Sequence, residues 1–379
     1  MEQLPIQTLP NALVCSPLSP LREQLSPCPR FDTLRQALAF ADTQVGEQTI
    51  WIESGVYQET LTIQRANTHL VGMGKGNTII RAGHYAAELD SKGKALGTFR
   101  TATVTVNAPR VTFTHLSIEN SFDYPKALAS QMGHQPEQLA TVHGLQAVAL
   151  HLGAQADQIV LNSVALKGYQ DTFYTEAKRC YGYDCHISGT IDFIFGGGTL
   201  LLEHSDIVCR EQAFTQRSNT TQLSPTGFIA APSTPHHQEV GFVFHRCRIL
   251  PASSRVSDNS YALARPWHPT RHFSDGDYAD PNAIGHCAYV HCALGPHISG
   301  WAKMHGRGKD GKQRCFYPHK DARFWEFACT DLSGNHLTYP KGQHQSLCDF
   351  RPQLSASQAE HLSGIAVLNG WKPKVKHLF

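Results

Sequence analysis

Short runs of alternating apolar and polar residues, each broken by Asn, Asp or His and then resumed, dominate this chain. Val111-Thr112-Phe113-Thr114-His115-Leu116-Ser117-Ile118, Ile159-Val160-Leu161-Asn162-Ser163-Val164 and Cys180-Tyr181-Gly182-Tyr183-Asp184-Cys185-His186-Ile187 carry the pattern. Leu200–Ile207, Phe242–Cys247 and Ala288–Cys292 repeat it. Period-two alternation marks half-buried strands. The polar positions 115, 162, 184, 204, 245 and 291 are separated by 47, 22, 20, 41 and 46 residues, near one or two units of a ~20–24-residue repeat. Strands at this spacing without intervening helices predict an all-β chain, a right-handed parallel β-helix with short flanking helices and long loop insertions. A β-sandwich or a propeller is the structural alternative. Helical periodicity is confined to 31–42 and 354–368. Segments 84–97, 122–143, 211–240, 268–285 and 303–323, rich in Gly, Pro, His, Ser and Lys, are expected as insertions on the coil.

One elongated repeat accounts for all 379 residues as a single domain, with 1–30 as an N-terminal extension and 350–379 as a capping tail. Apolar content of 41% with 17% charged residues is globular. A net charge of +2 without a long Lys/Arg run argues against nucleic acid as a partner. No stretch reaches the ~20 apolar residues of a membrane span. No basic region followed by an apolar one is visible at the N-terminus, and Ala12-Leu13-Val14-Cys15 lacks the apolar run of a lipoprotein signal. Eleven cysteines are an odd number and form no CxxC pair. His286-Cys287 and His291-Cys292 could be metal ligands, but buried cysteines beside surface histidines is the preferred reading.

Two carboxylates change the picture. Asp171 in Gly168-Tyr169-Gln170-Asp171-Thr172-Phe173 and Asp192 in Gly189-Thr190-Ile191-Asp192-Phe193-Ile194-Phe195-Gly196 stand in apolar or glycine-rich surroundings. A carboxylate there is unfavourable unless paired or used. Gln146 lies 24 residues before Gln170, which lies 22 before Asp192, so the repeat predicts all four side chains on one face. Two amides beside two carboxylates can supply an oxyanion hole, a nucleophile and a proton donor. A polar ladder that merely satisfies stacked backbone is the bland alternative. Arg265 and Trp267, in Leu263-Ala264-Arg265-Pro266-Trp267, add a cation able to grip a carboxylate and an aromatic suited to a sugar face. No Gly-x-Ser-x-Gly, Walker loop or dinucleotide fingerprint is present. His236-His237 and His268 with His272 lack carboxylate partners at convincing spacing and are expected on surface loops.

In order along the chain, these motifs resemble the pectin methylesterases, which de-esterify methylated homogalacturonan on a parallel β-helix. The resemblance runs from helix 31–42 and Gly55-Val56-Tyr57-Gln58-Glu59 through Thr98–Val104, Gln146–Leu150, Gly168–Phe173, Gly189–Gly196 and Leu263–Trp267 to Gly300-Trp301 and Gly370-Trp371. It implies a carboxylic-ester hydrolase that releases methanol and pectate. Asp192 would be the nucleophile, Asp171 the acid and then base, Gln146 and Gln170 the oxyanion donors, and Arg265 the partner that orients Asp192. Trp267 and Phe195 would line galacturonate subsites. No metal or organic cofactor is implied. The partner would be methyl-esterified polygalacturonate or oligogalacturonides, acted on by a monomer. A secreted, periplasmic or cell-surface location follows by resemblance, with the cytoplasm as the alternative. Relatives often pair a cysteine seven residues before the nucleophile with one thirteen after it. Here these positions are Cys185 and Ser205, with Cys209 four residues further on, so that bridge is not assumed. A pectate lyase, a polygalacturonase, or a catalytically retired or thioesterase-like relative on the same coil are the rivals.

Overall fold

A computed structural model describes residues 10–19, 21, 27–132, 143–212, 225–338 and 351–375. The chain winds as a parallel β-helix. One face is an eight-stranded parallel sheet: β1 (Leu61–Ile63), β2 (Val104–Val106), β3 (Leu150–Leu152), β4 (Phe173–Thr175), β5 (Ile191–Gly196), β6 (Gly227–Pro232), β7 (Tyr261–Ala264) and β8 (Ile298–Gly300). The remaining coil strands stack in register on the other faces, again in parallel.

A sharp bend joins those other strands in each coil, and the bending residue takes a left-handed backbone. These residues are His115, Ser163, Asp184, His204, Arg246, His291 and Ala328, with φ between 47° and 54°. Asp tolerates that region better than most residues, whereas Arg and Ala gain nothing from it, so the stack imposes the conformation. The true repeat positions are therefore 163 and 246, one residue beyond Asn162 and His245. Every interval between them is a single coil; the long ones contain insertions and no hidden second turn.

Inside the coil, facing side chains form columns. One runs Ala12, Ile50, Leu70, Phe113, Leu161, Gly182, Leu202, Phe244 and Tyr289. All but Gly182 belong to the main buried cluster. Each fully buried large side chain contributes roughly 1.5–3 kcal/mol. A second column follows the bends: Cys185, Cys247, Cys292 and Cys329 each donate a thiol hydrogen bond to a carbonyl of a neighbouring coil, at 3.4, 3.3, 3.2 and 3.4 Å. At Ser205 the hydroxyl instead accepts from the Cys185 amide at 2.9 Å. The ten described cysteines are free thiols, so Cys185 and Cys209 are not bridged; Cys348 lies outside the described residues. Small, weakly polar side chains suit a tight inward bend, which accounts for their number.

Helix α1 (Leu34–Asp42) closes the N-terminal end, burying Leu34, Ala37, Leu38 and Ala41. It starts at Leu34 because Thr33 caps it, accepting from the Gln36 amide, and Arg30–Phe31 is already a strand. The Glu59 carboxylate accepts from the Leu34 and Arg35 amides at 2.8 and 3.0 Å, filling the helix's orphan donors from the Gly55–Glu59 motif. Ala12–Val14 pairs with Arg30–Phe31 and with Gln48–Ile52, so part of the expected extension is coil.

The insertions also differ from expectation. Segment 211–240 contains β6, a full rung of the site-bearing sheet. Segments 268–285 and 303–323 each fold as an antiparallel hairpin. His268 is buried, bonded to the Asp280 carbonyl and stacked on Phe316 at 3.9 Å, and His272 pairs with Asp277 at 2.6 Å. His286 is buried too, so only His291 of the two His-Cys pairs is at the surface.

At the C-terminal end, Glu326 occupies the next rung above Tyr289 and is fully buried. Arg351 grips both its oxygens at 2.5 Å, and the Trp301 indole donates at 3.1 Å. The backbone of Pro352–Leu354 bonds to Glu326 along the outer edge. Breaking a buried pair by removing one partner typically costs about 3–5 kcal/mol. Arg351→Met is therefore expected to lower the unfolding free energy by about that amount in a urea titration. A change under about 0.5 kcal/mol would place the closing energy elsewhere.

Candidate active site

Asp171 and Asp192 come together on adjacent coils just before β4 and within β5. The Asp171 amide donates to the Ile191 carbonyl at 3.0 Å, the ladder bond that sets Asp171 beside Asp192. Both aspartates have left-handed backbones, φ 65° and 49°, so the strand bends at each carboxylate. Strain of order 1–3 kcal/mol per such residue is usual at functional sites. Gly189 makes the second bend possible: a β-carbon there would lie 2.2 Å from Phe193 Cβ and 2.6 Å from the Tyr169 carbonyl. Phe193 and Phe173 are fully buried in the core.

The two carboxylates are equally shielded, each 8% exposed, but their partners differ. Arg265, following β7, binds Asp192 through both oxygens: Nε donates to Oδ1 at 2.8 Å and Nη2 to Oδ2 at 2.5 Å. The guanidinium lies 4.0 Å over the Phe228 ring from β6, which fixes its plane. Among the described residues Asp171 has no such partner. Burial first, then the Asp192 carboxylate, hold its carboxyl well above the ordinary carboxylate range, against the opposing pull of Arg265. One carboxylate is thus held by a cation through both oxygens while its neighbour favours the protonated acid.

Gln146 and Gln170 are also brought side by side. The Ala147 amide donates to the Gln170 carbonyl at 3.1 Å, while the Ala149 and Leu150 amides both bond to Thr172. This bulge explains why the two glutamines are 24 residues apart although β3 and β4 pair with a 23-residue offset. Both glutamines are half-buried. Among the described residues neither carboxamide makes a side-chain hydrogen bond, so their donors remain available.

An aromatic row runs outward from the carboxylates. Phe195 lies 4.7 Å from Tyr174 and 5.7 Å from Trp267 between ring centroids, and Phe99 and His151 each lie 4.8 Å from Tyr174. Trp267 is half-buried, but Phe195 is only 3% exposed and supports the row from beneath. Phe99, Tyr174 and His151 extend this row and were not singled out from the sequence; the signal for the last two is the register His151–Tyr174–Phe195, whereas Phe99 comes from a separate turn. It also missed the clamp on Val148, whose amide donates to Thr101 Oγ1 at 3.0 Å and whose carbonyl accepts from Asn120 Nδ2 at 3.0 Å. Among the described residues no group of three or more His, Cys, Asp or Glu could hold a metal ion, and no helix is long and apolar enough to cross a membrane.

The family pattern described as "Pectinesterase" matches residues 27–275. The chain is 37% identical over 343 residues to Pectinesterase A of Dickeya dadantii (strain 3937), covering 90% of this chain and 88% of that one. A solved pectin methylesterase in complex with a hexasaccharide superposes with a TM-score of 0.84 at 36% identity, covering 97% of this chain and all of that one. A pectin methylesterase from Yersinia enterocolitica gives 0.78 at 36% identity, over 90% of this chain and 99% of its own.

Asp171 also makes a prediction about stability. Its folded pKa is raised, so the folded state holds the proton above the unfolded value of about 3.9 while the unfolded state releases it. The penalty on folding is absent below that value and accumulates as pH rises toward the folded pKa. Asp171→Asn is therefore expected to be more stable than wild type at pH 7 by about 0.5–2 kcal/mol, with the gain vanishing near pH 4. Paired urea titrations across that range check it; equal stability at every pH would contradict a desolvated Asp171.

Proposed function

Because the chain belongs to the pectinesterase family, and so is a carboxylic-ester hydrolase, we propose that it removes methyl esters from galacturonate units by an aspartyl mechanism. The observation that carries this is the unequal pair: Asp192 bonded through both oxygens to Arg265, and Asp171 buried beside it with no such bond among the described residues.

An ionised Asp192 oxygen attacks the ester carbonyl carbon. The carbonyl π electrons move to oxygen, where the Gln146 and Gln170 carboxamides donate to the developing charge. Collapse breaks the bond to the methoxy oxygen, which takes the Asp171 proton and leaves as methanol. The acyl group is then held as an anhydride on Asp192. Asp171, now a carboxylate, removes a proton from water as that water attacks the acyl carbon. The anhydride bond breaks back to Asp192, Asp171 is protonated again, and the product leaves as a galacturonic acid group that gives its own proton to solvent and becomes the carboxylate. Trp267 and its aromatic neighbours supply flat faces for the sugar rings.

The substrate proposed is methyl-esterified polygalacturonate or its oligomers, giving methanol and pectate. The hexasaccharide bound by the related pectin methylesterase supports an extended cleft. A polymer of that size is met outside the cytoplasm, and we place the enzyme there. Nine of the ten described thiols are buried, which shields them from oxidants in such a setting.

Asp192→Ala is expected to lose at least about 10⁴-fold in methanol release from methylated pectin while keeping a native circular dichroism spectrum at the assay temperature. Asp171→Asn should lose about 10²–10⁴-fold, and Gln170→Ala about 10²–10³-fold, in kcat. Near-normal turnover by Asp192→Ala would sink the mechanism. Because Asp171 must begin protonated, activity should fall as pH rises through its pKa.

A further inference from the structure

The mechanism leaves unexplained what keeps water from Asp171, since an open cleft would return its pKa to the solution value. Asp192 and Arg265, on later coils, act on its carboxyl, Gln146 and Gln170 stand on its own and the preceding coil, and an insertion packs an aromatic group against the residues just before those glutamines. Helix α2 (Tyr124–Met132) belongs to the 122–143 insertion, and it turns Tyr124 and Leu128, one helical turn apart, inward. Each is 3% exposed, and they pack on Leu145 and Tyr169, the residues immediately before Gln146 and Gln170. The Tyr124 ring stacks on Tyr169 at 5.4 Å with 13° between planes. Arg210 backs the stack, 3.7 Å over Tyr169, and bonds the Tyr169 hydroxyl and the Gly168 carbonyl at 2.8 and 2.9 Å. Its own carbonyl accepts from the Tyr261 hydroxyl at 2.5 Å.

We propose that Tyr124 is a positioning residue for the acid–base step: its ring, pressed onto Tyr169 by α2, is the seal that keeps the Asp171 carboxyl dry. The Tyr124 ring stacks on Tyr169 only two residues before Asp171, and burial and then the Asp171 carboxylate raise its phenol to about 12. Burial is likewise the largest influence on Asp171 itself. Arg210 is engaged with Tyr169 and Gly168, so it supplies a brace for the seal. The inference rests on the proposed role of Asp171 as the acid, and it makes an insertion loop the tuner of the pH range in which the enzyme works.

The test compares wild type with Tyr124→Phe, Tyr124→Ala and Leu128→Ala. Two readouts are followed: the alkaline limb of kcat/KM for methanol release from methylated pectin, and the pH dependence of the stability difference caused by Asp171→Asn in each background. Tyr124→Phe keeps the ring and should leave both unchanged. Tyr124→Ala admits water and should move both to lower pH by about one unit, a tenfold loss of proton affinity. Leu128→Ala loosens the same packing without touching Asp171, so it should move them the same way by less and serves where Tyr124→Ala folds poorly. A fall in kcat with neither readout moving would overturn the seal, as would a Tyr124→Phe shift as large as that of Tyr124→Ala. If the stability window moves and the rate limb does not, the seal stands and the acid role of Asp171 is what fails.

Discussion

Everything in this molecule follows from one constraint: each coil must hydrogen-bond to the coil before it in parallel and in register. Adjacent strands then lie ~4.8 Å apart, and any residue type placed at a bend recurs as a column. The same ladder that stacks Phe244 on Tyr289 with their rings 4.4 Å apart also sets Asp171 beside Asp192. Two carboxylates held that close by backbone bonds cannot drift apart to relieve their repulsion. The coil is thus what makes a chemically useful proximity permanent.

Proximity alone would give two equivalent acids. The difference comes from what reaches each one from outside its own coil. Arg265 arrives two coils later, across β6, and its plane is held by Phe228; it hydrogen-bonds Asp192 and reaches Asp171 only as a weaker opposing charge. On the other side, α2 packs Tyr124 and Leu128 on Leu145 and Tyr169, next to the glutamines and two residues from Asp171. Two carboxylates of equal exposure therefore differ through their neighbours, a division that no property of aspartate itself would supply.

Much of this was legible in the sequence wherever local chemistry and repeat spacing agree. The alternation at 111–118 and 159–164 announced parallel coils, and the 21-residue step from Asp171 to Asp192 announced their contact. The exact bending residue was not legible: Asn162 and His245 look like better left-handed residues than Ser163 and Arg246, yet stacking selects the latter. Rung β6 was hidden because Gly227–Pro232 sits in a polar, glycine- and proline-bearing stretch and gains its strand only by pairing with β5 and β7. His268 looked like a loop residue because Phe316, 48 positions later, is what buries it. Arg265 lies 73 residues from Asp192, so spacing within one repeat could not pair them; only the ordered motif set suggested it. Tyr124 was invisible for the same reason, since it packs on Leu145 and Tyr169, 21 and 45 residues further along the chain.

The closing of the last coil has a further consequence. A parallel coil ends in a row of unpaired amides and carbonyls, a ready template for another strand. Here Asn335–Leu337 bonds back to Cys329–Asp331, and Pro352–Leu354 lies along Glu326, anchored by Arg351. An ion pair that looks like a stability device is in this sense also a stop signal. It occupies the site where one molecule's coil would otherwise continue into the next, and so separates a discrete particle from the seed of a fibre.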